Sequence, residues 1–310
     1  MLRPTTFFPP TAIFLRTAET QAYLRSTVPR IVLAALLLSL TACVLSLLAY
    51  TAEDAIEEAV ALDKTSATNE HKILIATTTV TNNRFGAIMA AGVNLVAAFH
   101  YSKIVDLRGN AEKVTAQVED ACDSVRLSDW LVTLPALAVE LHILLNTELE
   151  DVSHAIENGW LSGLYLVLMV GCGFLQRFIF EKEGGGIPIE LFEKSYTTTS
   201  EKNGILWWHA VVGLTPIFVG SVLLILALVE LYDRKDTKND WIILQFATVP
   251  WPIYGVVAAV STLTLSLPTG PKSNTIVAVS IGKDIFYGML DVWSKAVLGL
   301  WVASKVAGVL

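Results

Sequence analysis

Charged residues are scarce in this chain. Only 16% of the 310 residues are Asp, Glu, Lys or Arg, whereas 53% are hydrophobic. A soluble globular domain carries about a quarter charged residues, so the composition argues against a water-soluble core. The mean hydropathy of +0.55 points the same way.

Basic clusters and metal-type cysteine spacings are also lacking. The net charge of −7 is spread through the loops, and without a basic tail or patch we expect no nucleic-acid partner. The three cysteines, Cys43, Cys122 and Cys172, show no metal-ligand spacing. We therefore expect reduced cysteines that serve in packing, and no metal site.

Long apolar runs, by contrast, are abundant. Seven of them reach the roughly 20 residues that are needed to cross a bilayer. They cover approximately residues 30–50, 84–106, 125–146, 156–179, 205–231, 241–264 and 276–308. Only helices and closed barrels satisfy the backbone in lipid. We therefore predict an all-α, multi-pass integral membrane protein with seven transmembrane helices, formed by residues 30–310 as one domain.

The first 29 residues form a separate N-terminal segment with two interpretations. They contain Arg3, Arg16 and Arg25 but only one acid, Glu19. An Arg-rich, acid-poor composition is typical of a transit peptide. Because composition alone is a weak signal, we favour the alternative, a disordered or surface-lying segment ahead of the first helix.

The seventh apolar run contains a lysine at membrane depth. Lys295 follows Asp291 by four residues, which places the carboxylate on the same helix face one turn away. A lysine inside a membrane costs several kcal/mol on most scales and by default indicates function. One use of a desolvated lysine is to form a Schiff base with an aldehyde.

The third run carries an arginine, two carboxylates and a threonine. Arg126 and Asp129 are three residues apart and are predicted to pair on one face, with Thr133 one turn further on. Glu140 lies eleven residues beyond Asp129, about three turns or roughly 16 Å along the helix. Low dielectric favours the neutral form of a buried Glu, whereas neighbouring cations keep Asp129 ionised. Two such carboxylates form half a proton relay.

A purely structural role is a serious alternative for one of these groups. An arginine near a span end, such as Arg126, is often a packing or interface device. Asp129, Glu140, Asp291 and Lys295 together are difficult to explain in that way, because polar groups at this depth are costly. The combination therefore predicts an intramembrane site.

These motifs resemble those of a known family. The pattern Arg-x-x-Asp-Trp-x-x-Thr-x-Pro, which begins at Arg126, and the pattern Asp-x-x-x-Lys, which begins at Asp291, are similar to those in the third and seventh spans of microbial (type 1) rhodopsins. The resemblance covers the chain from about residue 30 to 308. It implies that Lys295 carries all-trans retinal as a Schiff base in the core of the bundle.

The resemblance also implies a role for each matched residue. Asp129 corresponds to the primary counter-ion and proton acceptor, and Asp291 to the second counter-ion. Glu140 corresponds to the cytoplasmic proton donor. Trp130 corresponds to the tryptophan that sandwiches the polyene, and Arg126 to the arginine that orients the outer water network.

A narrower resemblance is to proteorhodopsin-like and xanthorhodopsin-like outward proton pumps. Their pattern is matched by Asp129, Thr133 and Glu140. His100 resembles a histidine that hydrogen-bonds the counter-ion carboxylate, although an isolated histidine on an apolar helix is more often a packing residue. Leu137 matches a chromophore-lining position at which leucine accompanies green absorption.

The sixth and fifth runs depart from the family pattern. Trp251-Pro252 takes the place of the usual Tyr-Pro next to the chromophore, which puts Thr248 where a tryptophan is usual. Two prolines in this run leave its register open, because each can kink the helix. A carotenoid antenna near Gly213 is possible, but we favour plain packing by small residues at that glycine.

The function implied by the resemblance is a light-driven outward proton pump and not an enzyme, with protons and the lipid bilayer as its partners. The family orientation puts the N-terminus outside, although the positive-inside rule prefers the reverse. One alternative is a sensory photoreceptor that signals through a partner, but such sensors usually lack a carboxylate at the place of Glu140. Another is a light-gated channel, but the second run has no carboxylate between Phe85 and Tyr101.

Two further points stay open at this level. A transporter that uses the same buried charges without retinal is the remaining alternative, and a visible absorption band would distinguish it. Because family members often form trimers or pentamers, we expect a homo-oligomer. The host membrane does not follow from the residues.

Overall fold

The computed structural model describes seven stretches of the chain. They are residues 18–49, 69–109, 116–145, 152–180, 199–233, 238–266 and 272–307. The predicted N-terminal segment 1–29 is described only from Ala18, where the first helix begins, and its first 17 residues lie outside the described part.

Helices make up the described stretches, which contain no strand. The elements are α1 (Ala18–Ala49), α2 (Asn69–Gly109), α3 (Ala116–Leu145), α4 (Val152–Phe180), α5 (Thr199–Asp233), α6 (Lys238–Thr248), α7 (Pro250–Ser266), α8 (Lys272–Asp291) and α9 (Leu298–Val306). A π-helical segment, Val292–Val297, joins α8 to α9.

Seven spans long and apolar enough to cross a membrane are present in these helices. They are Tyr23–Leu48, Asn83–Gly109, Ala121–Leu144, Gly159–Gln176, Leu214–Asp233, Ile242–Ser261 and Ile281–Val306. The sixth span combines α6 and α7, and the seventh combines α8, the π segment and α9. The predicted number of spans and the all-α membrane fold are confirmed.

The spans pack side by side as a bundle. Helices adjacent in sequence contact each other, and α9 and the π segment also contact α1 and α2, so the seventh span returns to the first two. Large apolar side chains such as Leu48, Phe218 and Met289 are exposed on the outside, where lipid is their natural solvent. The buried polar residues, including Asp129, Glu140 and Lys295, lie inside the bundle.

The sixth span is interrupted at its centre. The amide of Val249 donates to Gln245 O at 2.9 Å, but Pro250 has no N–H with which to continue the pattern. Thus α6 ends at Thr248 and α7 begins at Pro250, with Pro252 in its first turn, where proline is tolerated. This interruption decides which side chains of α7 point inward.

The seventh span contains a wider turn at the lysine. Ser294, Lys295 and Ala296 are all buried in the π segment. Successive residues of a helix point roughly 100° apart, so three consecutive buried residues mean that protein surrounds this turn on most sides. Single π turns inside α-helices are frequent at functional sites.

Candidate functional site

Lys295 is the centre of a buried charge cluster. Its Nζ donates a short hydrogen bond to Asp129 Oδ2 on α3 and lies 3.0 Å from Asp291 Oδ1, one turn earlier in its own span. All three side chains are almost completely buried. One cation between two carboxylates satisfies the rule that charges at this depth are paired.

Asp291 accepts hydrogen bonds from three further donors. Tyr101 Oη donates to Asp291 Oδ2 at 2.6 Å, and Tyr254 Oη donates to Oδ1 at 2.8 Å. Trp130 Nε1 donates to Oδ1 at 3.3 Å. Donors of this kind stabilise the ionised form of a carboxylate, and Asp291 has three of them besides Lys295.

Asp129 has fewer hydrogen-bond donors around it than Asp291. Its Oδ2 accepts from Lys295, but Oδ1 is buried and has no hydrogen-bond partner among the described residues. His100 Nδ1 lies 3.8 Å from Oδ1, too far for a hydrogen bond, and contacts the carbonyl of Val96 at 2.8 Å. The hydrogen bond predicted between His100 and Asp129 is therefore replaced by a longer electrostatic contact. Asp129 depends on Lys295 far more than Asp291 does.

The Thr133 side chain forms a hydrogen bond within its own helix. Its hydroxyl donates to the backbone carbonyl of Asp129 at 2.9 Å, the i−4 bond that threonine commonly makes inside helices. Thr133 is thus buried beside Asp129, as the spacing predicts, but its hydrogen bond goes to the backbone.

Arg126 does not form the predicted pair with Asp129. Within the described residues its ion pairs are with Asp284 Oδ1 at 2.5 Å and with Asp123 Oδ1 at 3.2 Å. The reason is that side chains on a helix lean toward its N-terminus, so Arg126 reaches back toward Asp123. Asp284 also pairs with Arg108. The charges therefore form a separate layer at the Arg126 end of the bundle.

Aromatic and apolar side chains lie beside Lys295 and the two aspartates. Trp130 packs edge-on against Tyr254 and Tyr287, with ring centroids 4.7 and 5.1 Å away. Leu137 and Trp251 are buried in the same hydrophobic cluster. Four residues were predicted to line a chromophore. Three of them, Trp130, Leu137 and Trp251, thus lie in the part of the core that adjoins Asp129 and Asp291.

Pro252, the fourth residue predicted to line that pocket, is exposed on the outside of the bundle. The residue of this helix that reaches Asp291 is Tyr254, because the break after Thr248 shifts the inward face of α7. Thr248 is buried and bonds to the carbonyl of Leu244 at 2.7 Å and to Tyr232 Oη at 3.0 Å. Pro252 therefore acts through the backbone and does not line the pocket.

Glu140 lies apart from this cluster, toward the other end of α3. It is 1% exposed, and neither carboxyl oxygen has a hydrogen-bond partner in the part of the chain that the structure describes. An ionised carboxylate in such a place would be very costly. The environment therefore favours the protonated acid, a group that can give up a proton.

Several residues of this site were not assigned from the sequence. Tyr101 and Tyr254 were visible in the second and sixth spans, but nothing in their spacing indicated that their hydroxyls meet at one carboxylate. Asp284 could have been found, because it lies seven residues before Asp291 on the same face of an apolar helix. Arg108 lies at the end of its span and gave no such signal.

One family model and two solved structures are similar to this chain. A family model described as "Bacteriorhodopsin-like protein" matches residues 71–308, more than half of the chain. A comparison with curated proteins finds no significant match.

Two solved structures share the fold. The crystal structure of thermophilic rhodopsin is 15% identical, with 93% of this chain and 94% of that chain covered and a TM-score of 0.56. Xanthorhodopsin, whose structure is titled as that of a light-driven ion pump with dual chromophore, is 17% identical, with the same coverage and a TM-score of 0.57. At these identities the likeness concerns the fold alone.

Proposed function

Since the chain belongs to the bacteriorhodopsin-like family of microbial rhodopsins, as an integral membrane protein with seven spans, we propose that it is a light-driven outward proton pump with all-trans retinal on Lys295. The single observation that carries the proposal is the buried Lys295 between two inequivalent carboxylates. The separate buried acid Glu140 supports it. We also propose the orientation of the chain in the membrane, the proton as the transported ion, and the role of each residue.

The residues beside Lys295 fit a retinal-type polyene aldehyde. Nζ is the amine to which the aldehyde carbon would attach, and Asp129 and Asp291 would balance the positive charge that the nitrogen then keeps. Trp130, Leu137 and Trp251 supply the apolar and aromatic surface that a polyene needs. When bound, retinal supplies a light-driven change of shape at the nitrogen.

The first proton movement follows from the contact at Asp129. Nζ is already hydrogen-bonded to Asp129 Oδ2, so its proton has a short path to that oxygen. Asp291 is nearly as close, but three donors from Tyr101, Tyr254 and Trp130 stabilise its anion. Protonating Asp291 would leave those donors with a poorer acceptor. Asp129 is therefore the acceptor.

The second movement returns a proton to Nζ from the other end of the bundle. Glu140 holds a proton in an apolar environment and is the only acid among the buried residues of the described structure on that side. The charged layer of Arg126, Asp284 and Asp123 lies on the opposite side and forms the exit side. Transport is outward if the Arg126 end faces outside, as the family orientation implies.

Two accompanying expectations stay predictions. A trimer or pentamer is testable by native mass spectrometry of the detergent-solubilised pigment. A carotenoid remains disfavoured: Gly220 on α5 is covered by α4, since a Cβ there would lie 3.4 Å from Cys172 and 3.6 Å from Met169. Gly213 lies in α5, but its surroundings are outside the described part.

Light-induced pH change in an unbuffered suspension of retinal-fed cells tests the proposed function. We expect acidification in the light that a protonophore abolishes and that Lys295→Ala eliminates together with the visible band. Lys305→Ala, near the end of the same span, should leave both intact. A coloured protein that changes no pH would favour the sensor or channel, and alkalinisation would reverse the direction of transport.

A further inference from the structure

Four residues from the first, second and seventh spans converge at about the depth of Glu140, one turn of the seventh span beyond Lys295. We call Ser39, Cys43, Asn94 and Gly299 the Gly299 cluster. Gly299 has no side chain, and a Cβ built on it would lie 2.6 Å from Asn94 Nδ2 and 3.6 Å from Cys43 Sγ and would collide with Ser39 Oγ. Three polar side chains therefore point at one spot beside the seventh span.

One side of the Gly299 cluster contacts the backbone of Lys295. Asn94 Nδ2 lies 3.5 Å from Lys295 O, in addition to its 2.8 Å bond to Ala90 O within its own helix. Cys43 Sγ donates to Gly299 O at 3.3 Å, one turn beyond the lysine. The cluster thus contacts the backbone of Lys295, and the Nζ of this lysine is the atom that must regain a proton.

The Gly299 cluster lies at about the same depth in the bundle as Glu140. Arg126, Arg108 and Asp284 meet in one layer. Glu140 and Asn94 each lie 14 residues from that layer along their helices, and Gly299 lies 15 residues from it, which is roughly 21–23 Å in each case. The Glu140 carboxyl is also close enough to Cys43 to act on its thiol electrostatically.

Several buried polar atoms in this region lack partners. Asn94 Oδ1 and both oxygens of Glu140 make no hydrogen bond to any described residue. Ser39 and Asn94 are completely buried, and Glu140 is 1% exposed. Buried polar atoms in this state are those that bind internal water, which needs two to four such partners.

Apolar side chains pack around Cys43 on the side of the Gly299 cluster away from Lys295. Ala87, Leu144, Val302 and Val306 form a hydrophobic group around Cys43, and a Cβ on Gly86 would lie 2.8 Å from Leu144. Ser39, Asn94 and Glu140 each lie one helical turn closer to the depth of Lys295 than this group does.

We propose that Ser39, Cys43 and Asn94, packed against Gly299, hold the internal water that relays a proton from Glu140 to Lys295. The inference rests on the proposed function and specifies the path of its second proton movement. Glu140 gives up one proton and becomes a carboxylate, each member of the chain takes one proton and passes one on, and Nζ gains one. No member of the cluster changes its charge overall.

Matched serines on one helix provide the test. The Ser39 hydroxyl points into the cluster, whereas the Ser46 hydroxyl is bonded to the carbonyl of Cys43 at 2.9 Å on the same helix. After a light flash we expect proton return to Nζ to be about tenfold slower in Ser39→Ala and Cys43→Ala, a barrier increase of about 1.4 kcal/mol. Ser46→Ala and Cys172→Ala should stay within about twofold of the wild type, since neither reaches the relay.

Added azide, a small proton carrier, should restore the rate in Ser39→Ala and Cys43→Ala. Unchanged rates in both variants would overturn the relay. Should Cys43→Ala fail to fold, Cys43→Ser keeps a polar hydroxyl and should return protons at nearly the wild-type rate. A large slowing in that variant would contradict the relay.

A spectroscopic signature separates a relay from a structural role. In light-minus-dark infrared spectra we expect an S–H stretching change that disappears in Cys43→Ser and shifts in Glu140→Gln. No S–H change during the photocycle would contradict the relay. If wild-type cells do not acidify the medium in the light, the proposed pump function is wrong. If the wild type pumps but the Ser39→Ala and Cys43→Ala variants return protons at the wild-type rate, only the relay is wrong.

Discussion

At the scale of single residues, Asp129 and Asp291 are identical side chains with different surroundings. Asp291 accepts from two tyrosines and a tryptophan, while Asp129 has an oxygen without a hydrogen-bond partner among the described residues. Hydrogen bonds to the ionised form stabilise it. Under the proposed function, Asp129 is the carboxylate that takes a proton while Asp291 stays charged.

Asp129→Asn should form a pigment but move no protons. Removing the anion beside the positive nitrogen destabilises the ground-state charge, so the visible band should shift to the red, and the proton acceptor is lost. Absorption spectra and light-induced pH change measure the two effects. Asp106→Asn, which changes an exposed carboxylate on α2, serves as the control, and pumping by Asp129→Asn at the wild-type rate would refute the acceptor role.

Glu140→Gln should leave the dark pigment unchanged and slow the recovery after a flash. General acid groups typically contribute factors of 10² to 10⁴, so we expect a recovery about 100-fold slower at neutral pH. Without the donor, protons must come from solution, and the recovery should slow by about tenfold for each unit of increasing pH. Glu230→Gln is the matched control, and a recovery independent of pH in Glu140→Gln would contradict the donor role.

Residue types in this site were more predictable than their contacts. Asp129, Glu140, Asp291 and Lys295 stand out in the sequence because charge at membrane depth is rare. The contacts of Arg126 did not follow, because spacing alone does not say that a helical side chain leans toward the N-terminus. The donors to Asp291 come from two other helices, and local sequence carries no information on where they meet.

At the scale of elements, the seven spans follow from hydropathy, but the sixth span does not follow from its motif. The break between Thr248 and Pro250 rotates α7 so that Tyr254 faces Asp291 and Pro252 faces outward. A proline pair leaves the register undetermined because each proline removes a backbone donor. The resulting rotation depends on packing against neighbouring spans.

Close contact between α8 and α1 provides a stability prediction. A Cβ on Gly288 would lie 2.8 Å from Val32 Cγ2 and 3.3 Å from Val28 Cγ1, whereas a Cβ on Gly282 of the same helix would meet nothing within 4 Å. Gly288→Ala should therefore cost about 1–3 kcal/mol through overpacking. Gly282→Ala should be neutral or stabilising by up to about 1 kcal/mol.

The thermal midpoint of pigment bleaching compares the two glycine variants directly. We expect a lower midpoint for Gly288→Ala and an unchanged or higher one for Gly282→Ala. Equal midpoints would mean that α1 and α8 can move apart at no cost, contrary to the packing described.

At the scale of the whole molecule, a buried ion network joins three spans near one end. Asp284 on α8 pairs with Arg108 on α2 and with Arg126 on α3, and Arg126 also pairs with Asp123. Lys283 pairs with Asp123 as well. Arg108 and Arg126 share the carboxylate of Asp284. Removing that carboxylate would therefore leave less negative charge to balance the two guanidinium groups.

Asp284→Asn should lower the thermal midpoint of the pigment, because breaking a buried pair by removing one partner costs about 3–5 kcal/mol. The visible band should change little, since Asp284 makes no described contact with Lys295. Thermal bleaching with Asp233→Asn, an exposed acid at the end of α5, provides the control. A midpoint equal to that of the wild type would show that the network contributes nothing to stability.

The movement of a proton from Lys295 to Asp129 is tested most directly by light-minus-dark infrared spectroscopy of the pigment. We predict a C=O band from a newly protonated carboxylic acid that is present in the wild type and Asp291→Asn and absent in Asp129→Asn. The Asp291 anion should stay unprotonated throughout, held by Tyr101 and Tyr254. A band that persists in Asp129→Asn and disappears in Asp291→Asn would contradict the account, because the proton would then go to the carboxylate that accepts more hydrogen bonds.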